Sequence, residues 1–309
     1  MPNISLVVPI FNEEENLEEL YRRVTAVMDG AGETYELLLV DDGSRDRSWS
    51  IISSLAASDP RVRGIRFSRN FGHQMAFTAG LDHARGEVVV IMDGDLQDPP
   101  ELIPEFLTRW RQGFEVVYGV RASRPGETVF KRWTAAGFYR LLHRATSVDI
   151  PIDTGDFRLM GPRAVAAFRR LTERHRFTRG MVSWLGFPQV GVPFQRPVRA
   201  RGETKYPLRA LVRLAMNGLL SFSLLPLQLA GWAGALTVAL AGCGLLGGIG
   251  WRLLGGTVPF TWLLLGAVLF LGGVHLLALG VLGSYLGRVF EQVQGRPLYL
   301  VQETVGGNG

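Results

Sequence analysis

Glu87 to Leu102 reads E-V-V-V-I-M-D-G-D-L-Q-D-P-P-E-L, an apolar half followed by an acidic one. Val88 to Met92 is short, apolar and rich in β-branched residues, as in a strand buried on both faces of a parallel sheet. Asp93, Asp95 and Asp98 follow directly. Ligands of open α/β sheets sit at the carboxyl ends of strands, so these acids mark a candidate site. Asp98-Pro99-Pro100-Glu101 has the pattern of a helix start, with Asp98 as N-cap, Pro99 at the first position and Glu101 at the third. Gly94 is expected to bend the turn so that Asp93 and Asp95 face a common centre, with Gln97 adding a neutral oxygen. Hard oxygen donors so spaced suit Mg²⁺ or Mn²⁺ bridging the phosphates of a nucleotide. For a D-x-D standing alone, a solvated acidic turn is the plainer alternative.

Upstream, strands and helices alternate. Ile4 to Pro9 is a buried strand, and Leu17, Leu20, Val24 and Val27 recur at helical spacing to about Met28. Asn12 with Glu15 three residues on resembles a capping box for that helix. Tyr35 to Val40 is a second strand ending in Asp41-Asp42-Gly43-Ser44, where Asp41 is either a ligand or a turn acceptor. A helix over Arg47 to Ala57, a strand over Val62 to Phe67 and a helix over Gln74 to Ala84 lead into the acidic stretch. The pattern predicts a mostly parallel sheet with helices on both faces. Neither G-x-G-x-x-G in the first strand-helix turn nor G-x-x-x-x-G-K-[ST] occurs, so phosphates must be held by side chains and metal.

Downstream, Val116 to Arg121 reads as a strand with a basic end, and Glu127 to Arg144 as an amphipathic helix. The chain has 309 residues, 47% hydrophobic, and its apolar residues concentrate near the end. Leu214 to Trp251 and Leu253 to Gly287 contain no Asp, Glu, Lys or Arg, and only Arg252 interrupts. Each exceeds the roughly 20 residues that cross a bilayer, which predicts transmembrane helices near Leu227–Ile249 and Phe260–Leu282. Six basic residues and one acid lie between Arg196 and Arg213, and Arg288 and Arg296 follow the second helix. By the positive-inside rule both ends are expected in the cytoplasm. The amino-terminal residues start a strand rather than a signal peptide. The net charge of +5 gathers beside the membrane, which argues for lipid headgroups or a phosphorylated lipid rather than nucleic acid. Cys243, the single cysteine, lies in the first membrane helix and excludes a disulfide framework.

Six motifs in order carry a resemblance: V-V-P-I-F-N-E-E-E-N-L, V-D-D-G-S-R-D-R-S, S-R-N-F-G-H-Q, D-G-D-L-Q-D-P-P-E-L, T-G-D-F-R-L-M and R-A-R-G-E-T-K-Y-P-L. Together they resemble the inverting glycosyltransferases of family two, in the branch of dolichyl-phosphate mannose synthases and bacterial polyprenyl-phosphate (bactoprenol) glucosyltransferases. The resemblance implies an α/β, GT-A-type, Rossmann-like nucleotide-sugar domain over residues 1–205. A juxtamembrane amphipathic helix over 206–223, two transmembrane helices over 224–287 and a cytoplasmic tail over 288–309 would follow. It implies that Pro9, Phe11, Glu13 and Asp42 line the nucleoside pocket, and that Asp93, Asp95 and Gln97 hold the diphosphate and its divalent metal. Asp156 matches the family's proposed catalytic carboxylate, with burial as a mere partner of Arg158 as the alternative. Arg121, Arg132, Arg199 and Lys205 correspond to family positions that reach phosphate, and Arg201 stands where the family usually has a small residue.

The reaction so implied moves a hexose from a nucleotide sugar to a polyprenyl phosphate. UDP-glucose and undecaprenyl phosphate are the first expectation, GDP-mannose the second, and UDP-galactose or UDP-N-acetylglucosamine stay open. A processive polysaccharide synthase is disfavoured because Q-x-x-R-W is absent, and a non-catalytic lipid-phosphate-binding scaffold would not need this set of acids. His73 is expected to orient its loop, His83, His143 and His175 to be surface or packing residues, and His275 to face the helix-bundle interior. Glycines along the membrane helices favour close packing, hence a homo-oligomer; the resemblance to the bacterial relatives, and not the glycines, points to a tetramer.

Overall fold

The structure, a computed structural model, describes residues 2–121, 154–195, 225–255 and 260–307. Among the described residues, one eight-stranded sheet combines seven strands from the first two thirds of the chain with one from its carboxyl end: β1 (Ile4–Ile10), β2 (Tyr35–Asp41), β3 (Val62–Phe67), β4 (Val88–Ile91), β5 (Val116–Arg121), β6 (Thr154–Met160), β7 (Gln189–Phe194) and β8 (Val301–Val305). Their order across the sheet is β7-β5-β6-β4-β1-β2-β3-β8. Four neighbouring pairs are parallel: β1 with β2, β1 with β4, β2 with β3, and β5 with β7. The other three pairs, β3 with β8, β4 with β6 and β5 with β6, are antiparallel. The α/β sheet with its parallel centre is as the sequence predicts. The antiparallel insertion of β6 is not.

Among the described residues the α-helices are α1 (Leu17–Ala31), α2 (Ser48–Ser58), α3 (His73–His83), α4 (Ile103–Arg111), α5 (Pro162–Arg169), α6 (Thr178–Trp184), α7 (Leu225–Leu253) and α8 (Phe260–Val293). The period-two alternation of β1 divides the interior in two. Ile4, Leu6, Val8 and Ile10 face α1, α2 and α4 in one core, while Val7 faces α3, α5 and α6 in the other. Val88–Ile91 is buried throughout, as its continuous apolar run requires of a central strand covered on both faces.

Two expected helix starts are not observed. Asn16, not Asn12, precedes α1, and Asn12 adopts φ 53° while its Oδ1 accepts from Arg45 N at 2.9 Å. The Asn12–Glu15 capping box does not form because Asn12 joins the neighbouring loop. Asp98 caps no helix either: a short 3₁₀ turn begins at Pro100, and Asp98 Oδ2 instead accepts from Asp93 N at 3.0 Å. Gly94 also acts differently from expectation. The left-handed residue of the turn is Leu96, φ 61°, whereas Gly94 permits close packing, since a Cβ there would lie 2.8 Å from Ile10 Cδ1.

Helices α7 and α8 pack against each other, and both are long and apolar enough to cross a membrane. Many of their large side chains are exposed, Trp232, Leu246 and Leu276 at 73% each. His275, expected in the bundle interior, is exposed in the single chain, with Nδ1 2.9 Å from the Leu271 carbonyl one turn back.

Candidate active site

The carboxyl ends of β1, β2 and β4 open on one edge of the sheet, and the loops there are fastened to one another by side chains. Register aligns Ile10 with Asp41, and Asp42 N donates to Ile10 O at 2.8 Å. Beyond the strands, Asn12 N donates to Ser44 Oγ, Glu13 N to Ser48 Oγ and Glu14 N to Asp46 Oδ2, at 3.0, 3.0 and 3.2 Å. The small hydroxyl and carboxylate residues of D-D-G-S-R-D-R-S thus satisfy the backbone of the first loop. Pro9 is buried, Glu13 is half-buried, and Phe11 is 37% exposed at this edge. Asp41 Oδ1 accepts from Ser44 N at 3.0 Å, which makes it the turn acceptor.

Asp42 reaches the next loop. Its carboxylate accepts from Phe71 N at 2.7 Å and from Gly72 N at 3.0 Å, and so anchors the N-F-G-H-Q segment that opens α3. A carboxylate offers about four lone-pair sites, which leaves capacity for a hydroxyl. Burial raises the Asp42 carboxyl to about 6 against the lowering effect of the two N–H groups.

The antiparallel strand β6 brings in the remaining carboxylate. Ile91 on β4 pairs with Arg158 on β6. Because the strands run oppositely, Asp93, just beyond the end of β4, and Asp156, near the start of β6, come to the same edge of the sheet. His73, first residue of α3, stands between them, with Nε2 3.5 Å from Asp93 Oδ1 and 3.2 Å from Asp156 Oδ2. Burial pulls its pKa down, but the Asp156 hydrogen bond and the Asp93 charge outweigh this and push it up to about 9.

Asp156 is 6% exposed and held on both oxygens. Arg179 Nε donates to Oδ1 at 3.0 Å, Gln74 Nε2 to Oδ2 at 3.3 Å, and Arg158 Nη2 lies 3.7 Å from Oδ1. Burial works against its charge, yet Arg179, His73 and Arg158 hold the carboxyl well below the usual carboxylate range. Arg158 is thus the more distant of its two arginines, and its Nη2 donates at 3.0 Å to the Gly155 carbonyl. Arg121, at the end of β5, lies over Gly155: a Cβ there would meet Arg121 Nη2 at 2.6 Å. The close approach allowed by Gly155 is therefore that of a guanidinium.

In the acidic turn Asp95 is buried, with Oδ1 accepting from Gln97 N at 3.1 Å. Burial raises Asp93, and burial with the Asp93 charge pushes Asp98 up to about 7. Asp98 Oδ1 is buried without a hydrogen-bond partner. Such a concentration of hard oxygens, one of them without a hydrogen-bond partner, suits a divalent cation. Among the described residues no three His, Cys, Asp or Glu side chains are grouped to enclose one, so water and substrate phosphates would have to complete the shell, as Mg²⁺ sites commonly allow.

Arg132, Arg199, Lys205, Arg201, His143 and the amphipathic segment lie outside the described residues. The structure brings Asp42, Asp93, Asp95, Asp156 and Arg121 to one edge. Sequence reasoning missed Arg179 and Thr178. They sit in R-H-R-F-T-R-G, where nothing separates Arg179 from Arg174 and Arg176 as one more basic residue.

The family model described as glycosyl transferase family 2 matches residues 5–167. The chain is 49% identical to Uncharacterized glycosyltransferase YkcC of Bacillus subtilis (strain 168), covering 98% of this chain and 94% of that one. It is 39% identical to the SfII prophage-derived bactoprenol glucosyl transferase of Shigella flexneri, covering 99% of each. Among solved structures, glucosyl-3-phosphoglycerate synthase from Mycobacterium tuberculosis, crystallised with Mn²⁺, UDP and glucosyl-3-phosphoglycerate, is similar with TM-score 0.46 and 18% identity over 71% of this chain and 78% of that one.

Proposed function

We propose that this chain, which belongs to glycosyl transferase family 2, moves glucose from UDP-glucose to a polyprenyl phosphate and yields a lipid-linked monosaccharide. It is a hexosyltransferase. The observation that carries the reading is Asp156, a buried carboxylate at the same sheet edge as the acidic turn, with His73 Nε2 3.2 Å from it and 3.5 Å from Asp93.

In the proposed reaction a phosphate oxygen of the acceptor attacks the anomeric carbon as the bond to the nucleoside diphosphate breaks, with inversion. The second pKa of a phosphate monoester is about 6, so the nucleophile is already largely ionised at neutral pH. Asp156, held as an anion by Arg179 and His73, is a poor proton acceptor. Its part is to orient the acceptor and to face the positive charge that develops on the sugar. Asp93 and Asp95, with Gln97 beside them, would hold a divalent cation that neutralises charge on the leaving diphosphate. Phe11, Pro9, Glu13 and Asp42 supply an apolar wall and hydroxyl acceptors for the nucleoside. Arg121, with Arg132, Arg199 and Lys205, meets phosphate.

The two apolar helices support a membrane-associated protein; the basic residues flanking them support a catalytic domain and both ends on the cytoplasmic side of the cytoplasmic membrane, and the glycines along them a homo-oligomer. Purified protein given labelled UDP-glucose, UDP-galactose, UDP-N-acetylglucosamine or GDP-mannose with undecaprenyl phosphate and Mg²⁺ or Mn²⁺ should label lipid from UDP-glucose alone, and EDTA should stop it. Lipid labelled from a different donor would reassign the sugar. No labelled lipid from any donor would remove the acceptor.

A further inference from the structure

Gln74 takes no direct part in the proposed reaction, yet both ends of its amide are engaged at the site. Oε1 accepts from Thr178 N at 2.9 Å and from Thr178 Oγ1 at 2.6 Å. Two donors on one atom fix the sense of the amide, so Nε2 is the end that faces Asp156 Oδ2, 3.3 Å away. The amide is a strut between the start of α6 and the carboxylate on β6. Thr178, fully buried, is followed by Arg179, whose Nε takes the other oxygen of Asp156 at 3.0 Å.

We propose that Gln74 is a positioning residue for the transfer step. By tying Thr178 it sets where Arg179 enters the site, and with its own N–H it fixes the second oxygen of Asp156. The carboxylate is then left one orientation, toward His73 and Asp93. The inference rests on Asp156 being the carboxylate at the reacting sugar, as proposed above. A role limited to joining α3 to α6 would affect stability and leave kcat alone.

Gln74→Glu separates the two. Glutamate is nearly isosteric and still accepts from Thr178, but it sets an oxygen in place of the N–H against Asp156. The expected result is a fall in kcat of about 100-fold, the scale of a small misplacement in a site, with KM for UDP-glucose retained and kcat read on the folded fraction, since the new carboxylate beside Asp156 also lowers Tm. Thr178→Val, which removes only the hydroxyl, should lower kcat by roughly 3- to 10-fold, and Thr178→Ser should restore it. A folded Gln74→Glu enzyme with kcat within about twofold of wild type, or one changed only in KM or Tm, overturns the proposal. If Gln74→Glu fails to accumulate, the threonine pair decides: equal kcat for Val and Ser overturns it. Wild-type protein inert with every donor would instead refute the glycosyl-transfer reading, before any variant is compared.

Discussion

Asp156 shows how a residue acquires a role from its neighbours. Fully buried carboxyls ordinarily rise in pKa, but this one faces Arg179, His73 and Arg158 and is held down, so it serves as a fixed charge. Asp156→Asn keeps the shape and removes the charge. Its turnover should fall by roughly 10²- to 10³-fold while UDP affinity, read by calorimetry, is retained. Asp42 behaves oppositely. Burial lifts it from 3.8 to about 6, so the folded protein binds the proton more tightly than the unfolded chain. The stability that this group contributes is full below about pH 4 and is lost as pH rises through about 6, a change on the order of 2–3 kcal/mol at the limit. Raising pH from 4 to 7 should therefore lower the wild-type Tm relative to that of Asp42→Asn, and a gap independent of pH would contradict the assignment. Both aspartates are legible in the sequence as acids in motifs. Their opposite titration is not, because it depends on which side chains from distant segments surround them.

The elements differ in how far sequence dictated them. Strand β4 is readable from four apolar residues, since only a central strand buries a continuous run. The expected cap at Asp98 was wrong for a physical reason: the carboxylate bonds back to Asp93 N, and the turn thereby closes on itself. Strand β6 sits between β4 and β5, where register rather than composition puts Gly155 under Arg121. In Gly155→Ala the new methyl would displace the tip of a flexible side chain, which is cheap for folding. KM for the lipid phosphate should therefore rise several-fold with Tm nearly unchanged, measured by steady-state kinetics and thermal unfolding. An unaltered KM would remove Arg121 from the phosphate site.

Across the whole molecule, the end of the chain returns to its beginning. Gln292 at the end of α8 exchanges hydrogen bonds of 2.8 and 2.9 Å with Arg174 N and Thr172 O, just ahead of Thr178 and Arg179. Tyr299 stacks on Phe67 with ring centroids 5.0 Å apart and donates to Asp82 at 2.9 Å, and Glu303 accepts from Trp49 Nε1 at 3.0 Å. Strand β8 then covers the edge of β3. Truncation after Arg296 should lower Tm and leave β3 as an open edge that self-associates, visible by size exclusion in detergent. An unchanged Tm and a single unshifted peak would show that β8 is dispensable. The sequence by itself determined the parallel βα core, the acidic turn at its carboxyl edge and two helices apolar enough for a membrane, because burial periodicity and hydropathy are local properties. Only the tertiary structure decided that β6 runs antiparallel, that His73 bridges Asp93 and Asp156, that Arg179 and Gln74 grip the carboxylate, and that residues 301–305 close the sheet. Each of these joins segments far apart in the chain, where geometry rather than local pattern selects the partner.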